Sequence, residues 1–306
     1  MCFVFRRSLM LLLLLLPLFS HAAVTPWVSF ELHHGHITLP VTIAGIETKV
    51  VLDSGAQING INAAFVKANH LELAKGSPVM VRGVYGTQRQ TSYNQVPVSL
   101  FGTEWKMDQL VTSHFGGKDV GLLLGASFFD KFIFQIDYPH NRLRLIERDS
   151  LDMQKYNNIE MRSDEGGSPV VRVKLNNQKS VWLVVDTGNT GGLVLPRLLA
   201  KEQGWLDKYE TQDTVGMGVN FTALNDSFRL PVISFGPFEV ENVAVTVPKD
   251  GSIDIMDDPE RRSLFAPVHA VRVRGLLGYD VIKHFLLTID YKYGRMNVAV
   301  PEASQG

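Results

Sequence analysis

The chain carries the same ordered set of segments twice, and this repeat limits its fold more than any other feature. The first set opens with Val41-Thr-Ile-Ala-Gly45-Ile-Glu-Thr-Lys-Val50-Val-Leu-Asp53-Ser54-Gly55-Ala56. The second opens with Val171-Arg-Val-Lys-Leu-Asn176-Asn177-Gln-Lys-Ser-Val-Trp-Leu-Val-Val185-Asp186-Thr187-Gly188-Asn189. Each alternates with a period of two, turns at Gly45 or Asn176-Asn177, and then runs as an apolar strand into Asp-Ser/Thr-Gly. Later, Gly121-Leu-Leu-Leu-Gly125 through Asp137-Tyr138 matches Gly275-Leu-Leu-Gly278 through Asp290-Tyr291. Each of these reads as a buried strand, a glycine turn, a short helix and a final strand pair. The pairs turn at Pro139-His140-Asn141 and Lys292-Tyr293-Gly294. The second copy is longer by about twenty residues, and two copies predict two pseudo-equivalent lobes, since a solenoid needs three or more units.

A length of 306 residues agrees with two domains. The expected division is a leader over 1–22, an N-terminal lobe over 23–149, a polar linker over 150–158 and a C-terminal lobe over 159–306. The fold class is all-β and bilobal: two pseudo-symmetric, barrel-like lobes with few short helices, the clearest being Asn62 to His70 and Arg197 to Gln203. Thirty Lys plus Arg stand against 31 Asp plus Glu, a net charge of −1. That balance offers no basic surface for phosphate backbones, so nucleic acid is not an expected partner. Cys2 is the single cysteine, which excludes a disulfide framework and a cysteine zinc site.

The N-terminus reads as an export signal. Arg6-Arg7 precede an apolar run through Leu11–Leu16, and small residues Ser20 and Ala22 set a cut before Ala23. The double arginine also hints at twin-arginine export. A thiol-free mature chain suits a bacterial periplasm or secretion. The alternative is an uncleaved inner-membrane anchor, the one route to membrane association. The short interval from the cut to Val28 predicts no long inhibitory prosegment.

The chemistry points to Asp-Ser/Thr-Gly. One copy of this tripeptide is commonly a plain turn; two copies, each behind an apolar strand and each followed by a Leu-Leu-Gly strand, are a specific signal. The pattern resembles the aspartic proteases, of pepsin and retropepsin type. The residues that carry the resemblance are Asp53-Ser54-Gly55-Ala56, Asp186-Thr187-Gly188, and the strands ending at Gly125 and Gly278. It covers nearly all of the chain after residue 22, and the Asp-Ser-Gly-Ala form is closer to retropepsin. Retropepsins build one site from two identical chains, so two fused halves imply a monomer.

The resemblance implies an aspartic endopeptidase with Asp53 and Asp186 as the catalytic pair and a peptide or protein substrate. It implies no cofactor and no metal. Two carboxyls ~3 Å apart share one proton and titrate as a pair. One acts as base on a water and the other as acid toward the scissile carbonyl, with the roles unassigned between them. Ser54 and Thr187 are expected to cross-link the two loops, and Gly55 and Gly188 to allow close approach and donate N–H groups. Asn189 departs from the family's Ala, Ser or Thr. Ala56 lacks a hydroxyl, which predicts an optimum above about pH 3.

A flap is expected at Arg82 to Gln88, with Tyr85, Gly86 and Thr87 at its tip. Val215-Gly216-Met217-Gly218-Val219 is the second-lobe counterpart without a Tyr. The extra segment from Pro248 to Arg262 reads as a solvated loop. His33-His34-Gly35-His36 reads as a surface strand with His34 and His36 on one face; no metal motif accompanies it. Asp137 and Asp290 read as structural strand ends. The competing function is a lobe pair that binds peptides or an envelope partner in the same cleft without cutting them.

Overall fold

The computed structural model describes residues 24–83, 86–163, 167–217, 222–251 and 271–301. The stretch 1–22 expected as a leader, with Cys2 in it, lies outside the described residues. Among the described residues no helix is long and apolar enough to cross a membrane.

Both copies of the repeat fold alike. In the first, His36–Ile43 and Ile46–Leu52 form an antiparallel hairpin, with Ile43 paired to Ile46. Ala44 and Gly45 between them both have positive φ, 49° and 82°, as a tight hairpin with right-handed twist requires. Pro169–Leu175 and Lys179–Val185 repeat this, with Asn176 and Asn177 at φ 47° and 56°. Asn tolerates that region better than most residues.

The chain then leaves each sheet and returns beside it. Val120–Leu124 runs parallel to Ile46–Leu52, with Leu124 beside Leu52, and antiparallel to Gly60–Asn62. In the second lobe Val273–Leu277 runs parallel to Lys179–Val185, with Leu277 beside Val185, and antiparallel to Leu193–Val194. All five residues of Val120–Leu124 are buried, in accord with the apolar run of a strand covered on both faces. A short helix follows each returning strand, Ala126–Phe129 and Tyr279–Ile282. The expected longer helices span Ala63–Ala68 and Arg197–Glu202. Asn62 caps the former: its Oδ1 accepts from Ala64 N, while its amide donates to the carbonyls of Phe115, Gly117 and Val120.

The lobes share one sheet. Its five strands run Val28–Ser29, Arg142–Ile146, Ile133–Asp137, Leu286–Asp290, Arg295–Ala299. The repeat-related hairpins meet at its centre, where Ile133 pairs with Asp290 and Ile136 with Leu287. One face contributes Phe134, Ile136, Leu287, Ile289, Met296 and Val298 to the core that joins both lobes. The other carries a polar row in which Arg144 donates to Gln135 and Gln135 to Thr288. Asp137 takes Arg142 and His140, and Asp290 takes Arg148. Both aspartates therefore tie strand ends together, outside the candidate site.

The polar stretch 150–158 expected to join the lobes carries a short helix and packs. Met153–Tyr156 is a helix capped by Asp152, and Met153 buries against Ile133 and Ile146. Asn158 then bonds the main chain of Val298 in both directions. Lone apolar residues in a polar stretch gave no periodicity to read.

Candidate active site

Each Asp-Ser/Thr-Gly tripeptide begins where its strand ends. Asp53 N donates to Leu124 O at 2.9 Å, and Asp186 N donates to Leu277 O at 2.8 Å. The returning strand therefore fixes the main chain at which each carboxylate emerges. The Leu-Leu-Gly glycines act at the same place. A Cβ on Gly125 would lie 2.6 Å from the carbonyls of Ala56 and Ile58, and one on Gly278 would lie 2.5 Å from Asn189. Only glycine lets the returning strand pass so near the loop. The next residue on each side then donates to that loop, Ala126 N to Ala56 O and Tyr279 N to Asn189 O.

The two loops are laced together across the lobe boundary by four hydrogen bonds. Ser54 Oγ donates to Val185 O at 2.7 Å and accepts from Thr187 N at 2.8 Å. Thr187 Oγ1 donates to Leu52 O at 2.8 Å and accepts from Ser54 N at 2.9 Å. Both side chains are fully buried. Tyr291 is also buried, and its ring stacks on Phe129 at 5.1 Å. Burial pushes the Tyr291 and Tyr138 phenols far up, so both stay neutral.

This lacing brings Asp53 and Asp186 face to face. Their carboxyls hydrogen-bond one another. Each lies over the other loop's glycine: a Cβ on Gly55 would meet the Asp186 carboxyl at 2.5–2.7 Å, and one on Gly188 would meet that of Asp53 at 2.5–2.6 Å. The support is unequal. Asp53 Oδ1 accepts from both Gly55 N and Ala56 N, at 3.0 and 2.9 Å. Asp186 Oδ1 accepts from Gly188 N at 2.8 Å, and the Gly55 N–H also acts on this carboxyl. Ala56 N and Asn189 N each bond the main-chain carbonyl of their own aspartate, but only Ala56 N also reaches the carboxylate.

The titration follows from this geometry. Burial raises Asp53, while the N–H of Ala56 draws it back down. Burial, and then the charge of Asp53, hold Asp186 well above the usual carboxylate range. Of the two, Asp186 is the better place for a shared proton.

Asn189 does not touch the carboxyls. Its amide donates to Gly192 O and its Oδ1 accepts from Gly191 N, so it fastens its own loop. The departure from the usual small residue is absorbed there.

The expected flap is a hairpin, Val79–Gly83 with Gly86–Gln90, closed at Gly83 and Gly86. Gly86 and Thr87 lie in its returning strand; Val84 and Tyr85 fall outside the described residues. The second lobe has a matching projection. Gln212–Met217 pairs with the start of Thr222–Phe235, Met217 facing Thr222, with residues 218–221 outside the description. Its side chains include the most exposed apolar ones described, Met217 at 85% and Val215 at 68%. Most of the extra segment, 252–270, is also outside it.

His33-His34-Gly35-His36 differs from the expected surface strand. His34 and Gly35 form a turn, so His36 pairs with His33 and not with the face of His34. His36 is half-buried, and Asp53 acts on its titration. Periodicity alone put a strand where a turn stands, and so missed this neighbour of the dyad. Tyr291 was hidden differently: Ile-Asp-Tyr was visible twice, but its Asp drew the attention. Among the described residues no His, Cys, Asp and Glu cluster is arranged to hold a metal.

Comparison with known proteins agrees with this architecture. The chain matches a family model described as aspartyl protease over residues 39–128 and 171–281, one segment in each lobe. No curated protein sequence matches it. Among solved structures it is similar to the aspartic proteinase from Irpex lacteus, with a TM-score of 0.55 and 12% identity over 92% of this chain and 98% of that one. At that identity the likeness concerns the fold, and the family match adds the ancestry of both loops. The chain belongs to the aspartyl protease family, with the bilobal fold of the aspartic proteinases.

Proposed function

We propose that the protein is an aspartic endopeptidase in which Asp53 and Asp186 cleave peptide bonds of extended protein segments. The observation that carries this reading is the hydrogen-bonded pair of carboxyls held by the reciprocal Ser54 and Thr187 bonds. A binding cleft needs no two acids forced into contact, at a cost in desolvation and repulsion.

In this reading the unequal support favours different roles for the two carboxyls. Asp53, with two N–H donors, is the ionised base that removes a proton from a water between the carboxyls. Asp186 is the acid that donates its proton to the scissile carbonyl oxygen as the water oxygen attacks the carbon. The tetrahedral diol then collapses. The proton taken by Asp53 passes to the amide nitrogen, the C–N bond breaks, and a carboxylic acid and an amine leave. As the diol collapses, one of its hydroxyls returns a proton to Asp186, so the pair again holds one proton.

Substrate would lie extended between the lobes and be read by strand pairing and by pockets for alternate side chains. The two hairpin projections, with Met80 at 62% exposure on the first and Val215 and Met217 on the second, favour apolar side chains next to the scissile bond. The apolar run before Ala23 supports export to the periplasm or beyond, with an uncleaved anchor as the other outcome. The fused lobes support action as a monomer.

A peptide-library digestion followed by mass spectrometry tests the reading. Wild type is expected to cut, and Asp53→Asn and Asp186→Asn to lose activity by several orders of magnitude. Identical products from all three would remove the dyad as the catalyst.

A further inference from the structure

The hairpin His33-His34-Gly35-His36 makes none of the dyad's hydrogen bonds, yet it lies against the dyad. His36 opens the strand His36–Ile43, whose register with Ile46–Leu52 begins at Thr38 opposite Val51. Continued two residues past its last pair, that register would bring His36 opposite Asp53, just beyond the end of Ile46–Leu52. Directly opposed residues of an antiparallel pair share a face, with Cβ atoms about 5 Å apart. The hairpin also reaches the other lobe: a Cβ on Gly35 would stand 3.0 Å from Thr190 Cβ, in the loop that follows Asp186. His36 therefore sits where the two loops meet, on the Asp53 side. Its Nδ1 is buried and has no hydrogen-bond partner among the described residues. An apolar side chain would fill this place without the cost of an unpaired buried polar atom.

We infer that His36 is a positioning residue for the dyad: as an imidazolium it faces the Asp53 carboxylate and keeps that group ionised further into acid. The inference rests on the dyad reading above.

The surrounding charges leave Asp53 as its counter-charge. On the hairpin itself His33 and His34 oppose a second positive charge, and Asp186 stands behind Asp53. Glu31, on the neighbouring strand, is engaged by Lys49 at 2.9 Å. The lobe-two loop Asn189–Gly192 has no titratable side chain, and Asp280 beyond it pairs with Lys283 at 3.0 Å. Burial lowers His36 from its ordinary value, and the charge of Asp53 pulls it back up. By reciprocity the imidazolium lowers Asp53. Activity needs one proton on the pair, so a protonated His36 moves the acid limb of the pH profile down. On the alkaline limb His36 has already lost its charge and has little effect.

The test measures kcat/KM against pH for wild type, His36→Gln and His36→Arg on a peptide that wild type cuts. His36→Gln is expected to raise the acid limb by about one pH unit, a loss of about tenfold below it, and to leave the alkaline limb in place. His36→Arg, which keeps its charge, is expected to retain the acid limb and pull the alkaline limb down. Superimposable profiles for wild type and His36→Gln would overturn the inference. A second readout does not depend on turnover: NMR titration of the His36 imidazole in the full chain, identified by its loss in His36→Gln. It is expected to titrate lower in Asp53→Asn than in wild type; equal values would also overturn the inference. Cleavage by Asp53→Asn would refute the dyad instead, and the NMR comparison would still decide whether His36 and Asp53 are linked.

Discussion

Replacing Ser54 by Ala tests whether the cross-lobe lacing holds the site together. The variant removes one oxygen and leaves two buried main-chain groups without their partner, Val185 O and Thr187 N. Ser54 is fully buried, so water does not take its place cheaply. Each stranded group costs about 1–3 kcal/mol, giving a loss of roughly 2–6 kcal/mol in all. Against a total stability of about 5–15 kcal/mol this is large. At about 2–4 °C per kcal/mol for a chain of this size, the melting temperature should fall by roughly 4–24 °C. Thr187→Val strands Leu52 O and Ser54 N in the same way and should cost a similar amount. The double variant should cost less than the sum, because one open pair already lets the loops part. Calorimetry and urea titration on the four proteins give the cycle, with kcat measured beside them. A drop of less than about 2 °C for both single variants would refute this account of the four bonds.

Three further outcomes follow from the same geometry. Gly188→Ala places a methyl group 2.5–2.6 Å from the Asp53 carboxyl, so kcat should fall by at least about a hundredfold while circular dichroism keeps its native form. The pH dependence of stability has a definite sign. Asp186 is held well above its ordinary value of 3.8, so its contribution is full below about pH 4 and lost as pH rises through the raised value. Wild type should therefore lose stability from pH 4 toward pH 8 relative to Asp186→Asn; parallel melting curves would contradict this. Tyr291→Phe removes the buried hydroxyl but keeps the ring on Phe129, so no more than about 1 kcal/mol in urea titration is expected, far below Ser54→Ala.

The fold was legible because its signals are local and doubled. Strands ending in Asp-Ser/Thr-Gly, turns at Gly45 and Asn176-Asn177, and the Leu-Leu-Gly strands each have a physical cause that a sequence displays directly. The shared five-stranded sheet was not legible, since nothing in Ile133–Asp137 names Leu286–Asp290 as its neighbour. The site divides in the same way. Asp53, Ser54, Asp186 and Thr187 were found because their motif is the loop itself. His36 and Tyr291 reach the dyad through register and burial, which are long-range properties. Asn189 was visible, but its effect depended on whether its amide turned to the carboxylate or along the loop, and the bond to Gly192 O decides that.

Fusion of the two halves gives this site a freedom that a dimer of identical chains lacks. In a symmetric pair the two aspartates have equal surroundings, so neither is marked as acid or base before substrate binds. Here Ala56 and Asn189 have diverged, and the loops with them. Ala56 N reaches the Asp53 carboxylate, whereas Asn189 N stays on the main chain while its side chain fastens Gly191 and Gly192. His36 stands beside Asp53, and in the second copy of the repeat Ser168 falls at the corresponding place, two positions before the first paired strand residues. Both differences favour charge on Asp53 and the proton on Asp186. The asymmetry thus lies in the apo protein, and it would orient every bound peptide relative to a fixed acid and a fixed base.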